Sequence, residues 1–560
     1  MTHIIMDVWA IQERRLVGWA SQPKVKMMRA YRPFAWLLVF LIVVGCGARR
    51  TEIACEADPR CLRYGLSADF SVLDPHIAAL PEAGAIFRQI YDTLVYRDST
   101  SHEFLPGLAS AWDISSDGLV YTFFLRRDVR FHDSTPFNAA AVARNIERIY
   151  DPQQPSSRAR DLLGPLSQYE IVDEYTLRLH LTIAYPALLD GLSQPWLGIA
   201  SPRALDEFGR LRYQFHQVGT GPFVLESYTP GETVSLRRFA DYHVNLSIYS
   251  PLVGDEIQRV QIALDSRQTG DVLAQLGDSL DILDDISPAD AQNIAGNSRV
   301  QVLPVQIPGL VSSLLINTAR PPLDDMNLRR ALLLATDRAA ISDQITFNYS
   351  PIAWAPLSAS TGYSHTGYVA RFAYDLAAAK ELIAAAGFAD SDDDSIVERA
   401  GSPLTLRMVV PPGDQLPQIA ESLRKSWRSA GIDLRLEPVP GKSRLTELVL
   451  SGEYDLLPID AAGIDPVVLG QIFANASPYA ASRAPQPRLS QLLAQAERES
   501  DAQLRRERYY ELQALLMNET LILPLREPLR LTVTHANVKN LRFDAYGLYP
   551  LLHNVAMQLN

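Results

Sequence analysis

The amino-acid sequence predicts an α/β fold with strands and helices packed in layers. Helical and strand periodicities alternate along the chain, the strand segments are short with apolar and polar residues in alternation, and two of the helical segments stop at glycines ahead of a strand. In "WDISSDGLVYTFFLR", Asp117-Gly118 sits between two apolar runs and predicts a tight hairpin. In "STPFNAAAVARNIERIY", Thr135 is the expected N-cap and Pro136 the first helical residue, with Val142, Ile146 and Ile149 on one face. "YTLRLHL" predicts a half-buried strand, with Leu177, Leu179 and Leu181 inward. "DLAAAKELIAAAG" predicts a helix capped by Asp375 and stopped at Gly387. "PLTLRMVV" and "GIDLRLEPV" are expected strands. Between them, Ile419, Leu423, Trp427 and Ala430 form a helical stripe ending at Gly431. No short internal repeat is evident.

The 560 residues suffice for two or three domains. The formal net charge is -12, and residues 1–45 hold six Lys or Arg against two Asp or Glu, so the rest carries about -16 (-12 minus +4). So acidic a chain is a poor partner for nucleic acid, whose phosphates need a basic face.

Arg29 and Arg32 precede "FAWLLVFLIVVG", the charge-then-apolar pattern of a secretory signal. The apolar run of about 13 residues falls short of the roughly 20 that span a bilayer. "VVGC" resembles a bacterial lipoprotein cleavage site, with Cys46 as the acylated residue. Residues 1–45 are therefore read as a signal peptide with a mis-annotated N-terminal extension, translation starting at Met27 or Met28. Residues 46–60 are read as a lipidated tether. The only other cysteines, Cys55 and Cys61, are expected to form a local disulfide outside the cytoplasm. Half a metal site is the other reading of the pair, but only His76 lies near.

Enzymatic constellations are absent from the sequence: no G-x-S-x-G, H-E-x-x-H, phosphate loop or C-x-x-C. His132-Asp133-Ser134 is read as a turn, since adjacent residues cannot take up triad geometry. Asp390, Asp392 and Asp394 have the spacing that opens a calcium loop, but Ser395 and Gly401 stand where a glycine and a glutamate are needed. An exposed acidic turn is expected there, and no metal.

In this order the segments resemble the family 5 extracellular solute-binding proteins of bacterial ABC transporters. The most specific stretch is "LPGLASAWDISSDGLVYTFFLRRDVRFHDSTPFNAAAVARNIERI", which departs from the family pattern only where Ser134 replaces a glycine. "VGTGPFVLESYTPGETVSLRRFADYH", "INTARPPLDDMNLRRALLLATDR", "GEYDLLPIDAAGIDP" and "RERYYELQALLMNETLILPL" follow in register. The resemblance implies a two-lobed periplasmic binding protein-like fold (type II, cluster C) with an extra domain in the first lobe. Residues 61–91, 217–310 and 525–560 would form the first lobe's core domain, 92–216 its additional domain, and 311–524 the second lobe. It also implies a monomer without cofactor, a small-molecule or oligopeptide ligand held between the lobes, and an ABC permease as partner.

In peptide receptors of this family a pocket-loop aspartate, four residues before the proline of an Asp-Pro pair, holds the ligand's ammonium. Here the pair is Asp465-Pro466, the matching position is Ala462, and the nearest upstream carboxylate is Asp460. Asp460 is expected either to serve after a two-residue shift or to be a solvated loop residue. Ser71 and Ser312 are expected to offer hydroxyls. Trp354 is expected to be either an aromatic wall or a packed core residue. The overall expectation is a lipid-anchored receptor in the periplasm or at the cell surface that feeds an importer. The rivals are a sensor of the same fold and, remotely, a secreted hydrolase.

Overall fold

The computed structural model describes residues 55, 58–67, 70, 72–264, 272–277, 279–365, 367–413, 415–482 and 484–558. The expectations for the signal segment, for lipidation at Cys46 and for Ser71 lie outside these residues. Cys55 and Cys61 are joined as a disulfide, with their Cα atoms 5.4 Å apart. Among the described residues no helix is long and apolar enough to cross a membrane.

Two mixed sheets form the two lobes. The first has seven strands in the order Val300–Gln306, Leu529–His535, Ile282–Leu283, Cys61–Leu66, Arg259–Leu264, Thr233–Arg238 and Phe223–Thr229. Its centre is parallel, with Cys61 opposite Arg259 and Tyr64 opposite Ile282, and its flanks are antiparallel. The second has five strands in the order Asp433–Pro438, Thr405–Val410, Leu456–Ala462, Gly309–Ile316 and Ile522–Arg526. A four-stranded antiparallel sheet of Ala109–Ile114, Val120–Leu125, Thr176–Leu181 and Leu166–Asp173 stands on the first lobe. Leu177, Leu179 and Leu181 face its core, as their alternation requires, and Val244 and Leu246 join that core.

The second lobe is assembled by amphipathic helices. Helix Leu416–Arg428 buries Ile419, Leu423 and Trp427, and the Trp427 indole donates to Thr336 Oγ1 at 3.0 Å. Helix Leu376–Ala385 is capped by Asp375, which accepts from the Ala378 N–H. Helix Ala502–Asn518, capped by Asp501, buries Arg505, Tyr509, Leu512 and Leu516 in one stripe.

One expected start differs. The helix of the most specific segment runs Ala139–Tyr150 and is capped by Asn138, which accepts from the Ala141 N–H. Thr135 and Pro136 belong to the preceding turn, because Asp133 binds the Thr135 N–H and hydroxyl and Phe137 is buried. Ser134, which stands where the family pattern has glycine, has φ +66°, the conformation that favours glycine.

Helix Ala139–Tyr150 also carries Arg148 into a buried cluster. Arg148 grips Asp74 through both guanidinium ends, at 2.9 and 2.5 Å, and donates to His76 Nδ1 at 2.8 Å. Burial, reinforced by the Arg148 charge, drives the His76 imidazole down to about 3, so it stays neutral at physiological pH. Its folded value lies below the ordinary value near 6.5. Its contribution to stability is therefore complete above pH 6.5 and is lost as pH falls toward 3. Two outcomes are expected in equilibrium denaturation. Arg148→Ala, which strands the Asp74 carboxylate, costs about 3–5 kcal/mol. His76→Gln flattens the acid-side fall of stability by about 1.4 kcal/mol per pH unit, one proton's worth.

Candidate functional site: the cleft at the crossing strands

Two segments connect the lobes. Strand Val300–Gln306 of the first sheet continues through Ile307-Pro308 into Gly309–Ile316 of the second. Strand Ile522–Arg526 returns through Glu527-Pro528 into Leu529–His535. The two crossings are tied by the Ile307 N–H donating to the Pro528 carbonyl at 3.1 Å.

Beside this crossing runs strand Leu456–Ala462, the middle strand of the second sheet, so Asp460 and Ala462 lie on a strand and not on the loop expected for them. Side chains alternate along it. Ile459 and Ala461 enter the second lobe's core, whereas Ala462 packs against the first lobe's core. Asp460 shares the face of Ala462, about 7 Å back along the strand. It is half-buried, on the strand face through which Ala462 meets the first lobe. Opposite it, strand Gly309–Ile316 has an irregularity in register between Leu310 and Ser313, which leaves Ser312 half-buried beside Asp460. Ser312 in turn pairs with Arg526 on the next strand.

Arg526 was not singled out by the sequence, since one arginine before Glu-Pro carries no local signal. Its guanidinium lies in the fields of Asp460 from the second lobe and Asp285 from the first. Burial pulls it below its ordinary value, and the two carboxylates offset part of that. Asp460 also helps to hold the buried Tyr479 hydroxyl protonated, after burial itself and Tyr454.

Trp354 is half-buried against the second lobe's core, with the Arg338 guanidinium 5.1 Å from its ring centre. Arg338 is itself buried and donates to three carbonyls, of Pro524, Leu333 and Phe372. The contacts of Trp354 are those of a packed aromatic. The Asp465 carboxylate is bound bidentately by Arg505, at 2.7 and 2.9 Å. Burial opposes its charge, but Arg505 outweighs that and holds the carboxyl below its ordinary value. So engaged, Asp465 is committed to structure, and Ile464 beside it enters the first lobe's core.

A groove of about 840 Å³ opens between the lobes, lined by Ser287, Pro288 and Asp290 of the first and by Ile345, Phe347 and Gln415 of the second. On the first-lobe side, behind Asp285, Arg530 binds Asp284 at 2.8 Å and Thr532 donates to the same carboxylate at 3.0 Å. The exposed cluster of Asp390, Asp392, Asp394 and Glu398 lies in the second lobe and forms a turn closed by its own carboxylates.

Gly309 sets the seat of strand Leu456–Ala462. Its φ is +143°, and a Cβ there would stand 2.0 Å from the Ala461 carbonyl oxygen. Gly309→Ala is expected to push that strand aside, costing about 1–3 kcal/mol in denaturant titration, and to weaken any ligand that Asp460 contacts.

The comparisons agree with this geometry. The description "Bacterial extracellular solute-binding proteins, family 5 Middle" matches residues 103–474. The glutathione-binding protein GsiB of Salmonella choleraesuis (strain SC-B67) is 27% identical over 386 residues, 68% of this chain and 71% of that protein. NikA from Brucella suis, solved in complex with Fe(III)-EDTA, superposes with a TM-score of 0.80 at 22% identity, covering 89% of this chain and 99% of NikA. A dipeptide-binding protein from Pseudoalteromonas sp. SM9913, solved with Met-Leu, gives 0.71 at 20% identity, covering 89% and 100%. These structures share the two-lobed fold. The chain belongs to the bacterial extracellular solute-binding proteins, family 5, and is a substrate-binding protein of an ABC importer.

Proposed function

We propose that this receptor is tethered by a lipid at Cys46 and takes a peptide-like solute whose free amine is held by Asp460. The observation that carries the reading is the shared facing of Asp460 and Ala462. Ala462 occupies the position of the family's amine-binding aspartate, and Asp460 presents a carboxylate from the same face one strand repeat back. A buried ammonium without such a partner costs several kcal/mol. Ser312 supplies a hydroxyl between the strands, whereas Trp354 serves packing. The name of the glutathione-binding relative supports a small peptide as cargo.

The mechanism is capture without covalent chemistry. Residues 311–524 form one jaw; the other is made by 61–91, 217–310 and 525–560, with 92–216 added to it. The ligand touches both jaws only when they meet, so binding shifts the population toward the closed form that the permease recognises. A single chain suffices for this, and the lipid keeps it near its partner.

Native mass spectrometry of the soluble form, residues 47–560, is expected to reveal a co-purified small peptide or amine. Asp460→Asn is expected to weaken that ligand by about 10- to 100-fold in calorimetry, the worth of a charged hydrogen bond, and to leave an N-acetylated analogue unaffected. If amine and acetylated forms respond alike, Asp460 is not the anchor. For the tether, full-length protein made in a bacterial host should enter the detergent phase of a Triton X-114 separation, and Cys46→Ser should stay in the aqueous phase. Equal partition of the two removes the lipid from the proposal.

A further inference from the structure

The sheet face that carries Asp460 carries a second charge of opposite sign. In the order Leu456–Ala462, Gly309–Ile316, Ile522–Arg526, the middle strand contributes Ser312 and the outer strands Asp460 and Arg526. Adjacent strands lie about 4.8 Å apart, so the backbones under the two charges are separated by about 10 Å. The Arg526 guanidinium lies within the field of the Asp460 carboxylate. Arg526 ends its strand just before the crossing, where Glu527 begins the return to the first lobe.

Arg526 Nε is buried and has no hydrogen-bond partner among the described residues. That is an expensive state for a guanidinium, which is built to give planar, paired hydrogen bonds to a carboxylate. Among the other buried arginines, Arg148 and Arg505 each meet a carboxylate through two bonds, Arg530 meets Asp284 through one, and Arg338 donates to three carbonyls. Asp285, the first-lobe carboxylate in whose field Arg526 lies, is shared with Arg530. Arg526 is thus a cation near the seam of the lobes whose Nε keeps a hydrogen bond to give.

We infer that Arg526 is a specificity-determining residue that receives a carboxylate of the ligand, and that Asp460, Ser312 and Arg526 together accept an α-amino-acid head. This rests on the reading of Asp460 as the amine anchor. The head has an ammonium and a free carboxylate on one carbon, which is what a short row of anion, hydroxyl and cation on one sheet face complements. An ordinary peptide lacks it at its N-terminus, because the carboxyl beside its ammonium is consumed in the first peptide bond. A peptide linked through a side-chain carboxyl keeps it. The predicted class is therefore amino acids and γ-linked peptides, in preference to α-linked peptides of the same composition.

Three probes separate the possibilities in calorimetry on the soluble chain: γ-L-glutamyl-L-alanylglycine, its α-linked isomer, and the γ-linked peptide with its glutamyl α-carboxyl amidated. The γ-linked peptide is expected to bind at least tenfold tighter than the other two. Arg526→Gln should erase that difference, and Asp460→Asn should weaken the γ-linked peptide as well. The amide comparison uses the unaltered protein, so it reads the same contact even if Arg526→Gln fails to fold. Isomers that bind within twofold of each other, or an amide that binds as well as the acid, overturn the carboxylate contact. If both isomers are then still weakened by Asp460→Asn, the amine anchor stands alone. Peptides that bind but are indifferent to Asp460→Asn, or no binding by any of the three, overturn the inference and the reading beneath it together.

Discussion

Two extended segments passing side by side from one sheet to the other are the constraint on which this molecule depends. Their ladder continues on either side of Ile307-Pro308 and Glu527-Pro528, so the register of the second sheet is set by the register of the first. The prolines lack N–H donors, which thins the hydrogen bonding where the segments leave one sheet and enter the other. The single Ile307-to-Pro528 bond bridges that gap. Ser312 and Arg526, just beyond it, are paired across adjacent strands.

The charges of the fold fall into two groups, and burial alone does not separate them. Asp74 with Arg148, Asp284 with Arg530, and Asp465 with Arg505 are buried pairs in which each carboxylate accepts at least two side-chain hydrogen bonds. Such pairs add little net stability against an apolar replacement, but breaking one is costly, so they specify geometry. Arg526 differs: it lies in the fields of Asp460 and Asp285, and its Nε has no hydrogen-bond partner among the described residues. A binding cleft needs such groups, because a charge already saturated by its own protein has nothing to offer a ligand.

Much of the fold was legible in the chain. The stripe of Ile419, Leu423 and Trp427, the cap at Asp375 and the alternation of Leu177, Leu179 and Leu181 are local patterns whose physical cause lies within a few residues. The cap of helix Ala139–Tyr150 was misplaced because Asp133 competes for Thr135, and that contact belongs to the turn held by Ser201 from a distant segment. Asp460 could be named from the resemblance, but its direction could not. A strand of mixed composition, "LLPIDAA", does not state which face meets the core, and only the packing of Ala461 and Ala462 against different lobes decides it.

The sequence by itself determined the α/β class, the family and most of the helices and strands, because periodicity, caps and motif order are properties of contiguous residues. The tertiary structure alone decided that Ser312, Asp460 and Arg526, spread over some two hundred residues of chain, share one sheet face. Strand order and register arise from pairings between distant segments, and no local pattern encodes them.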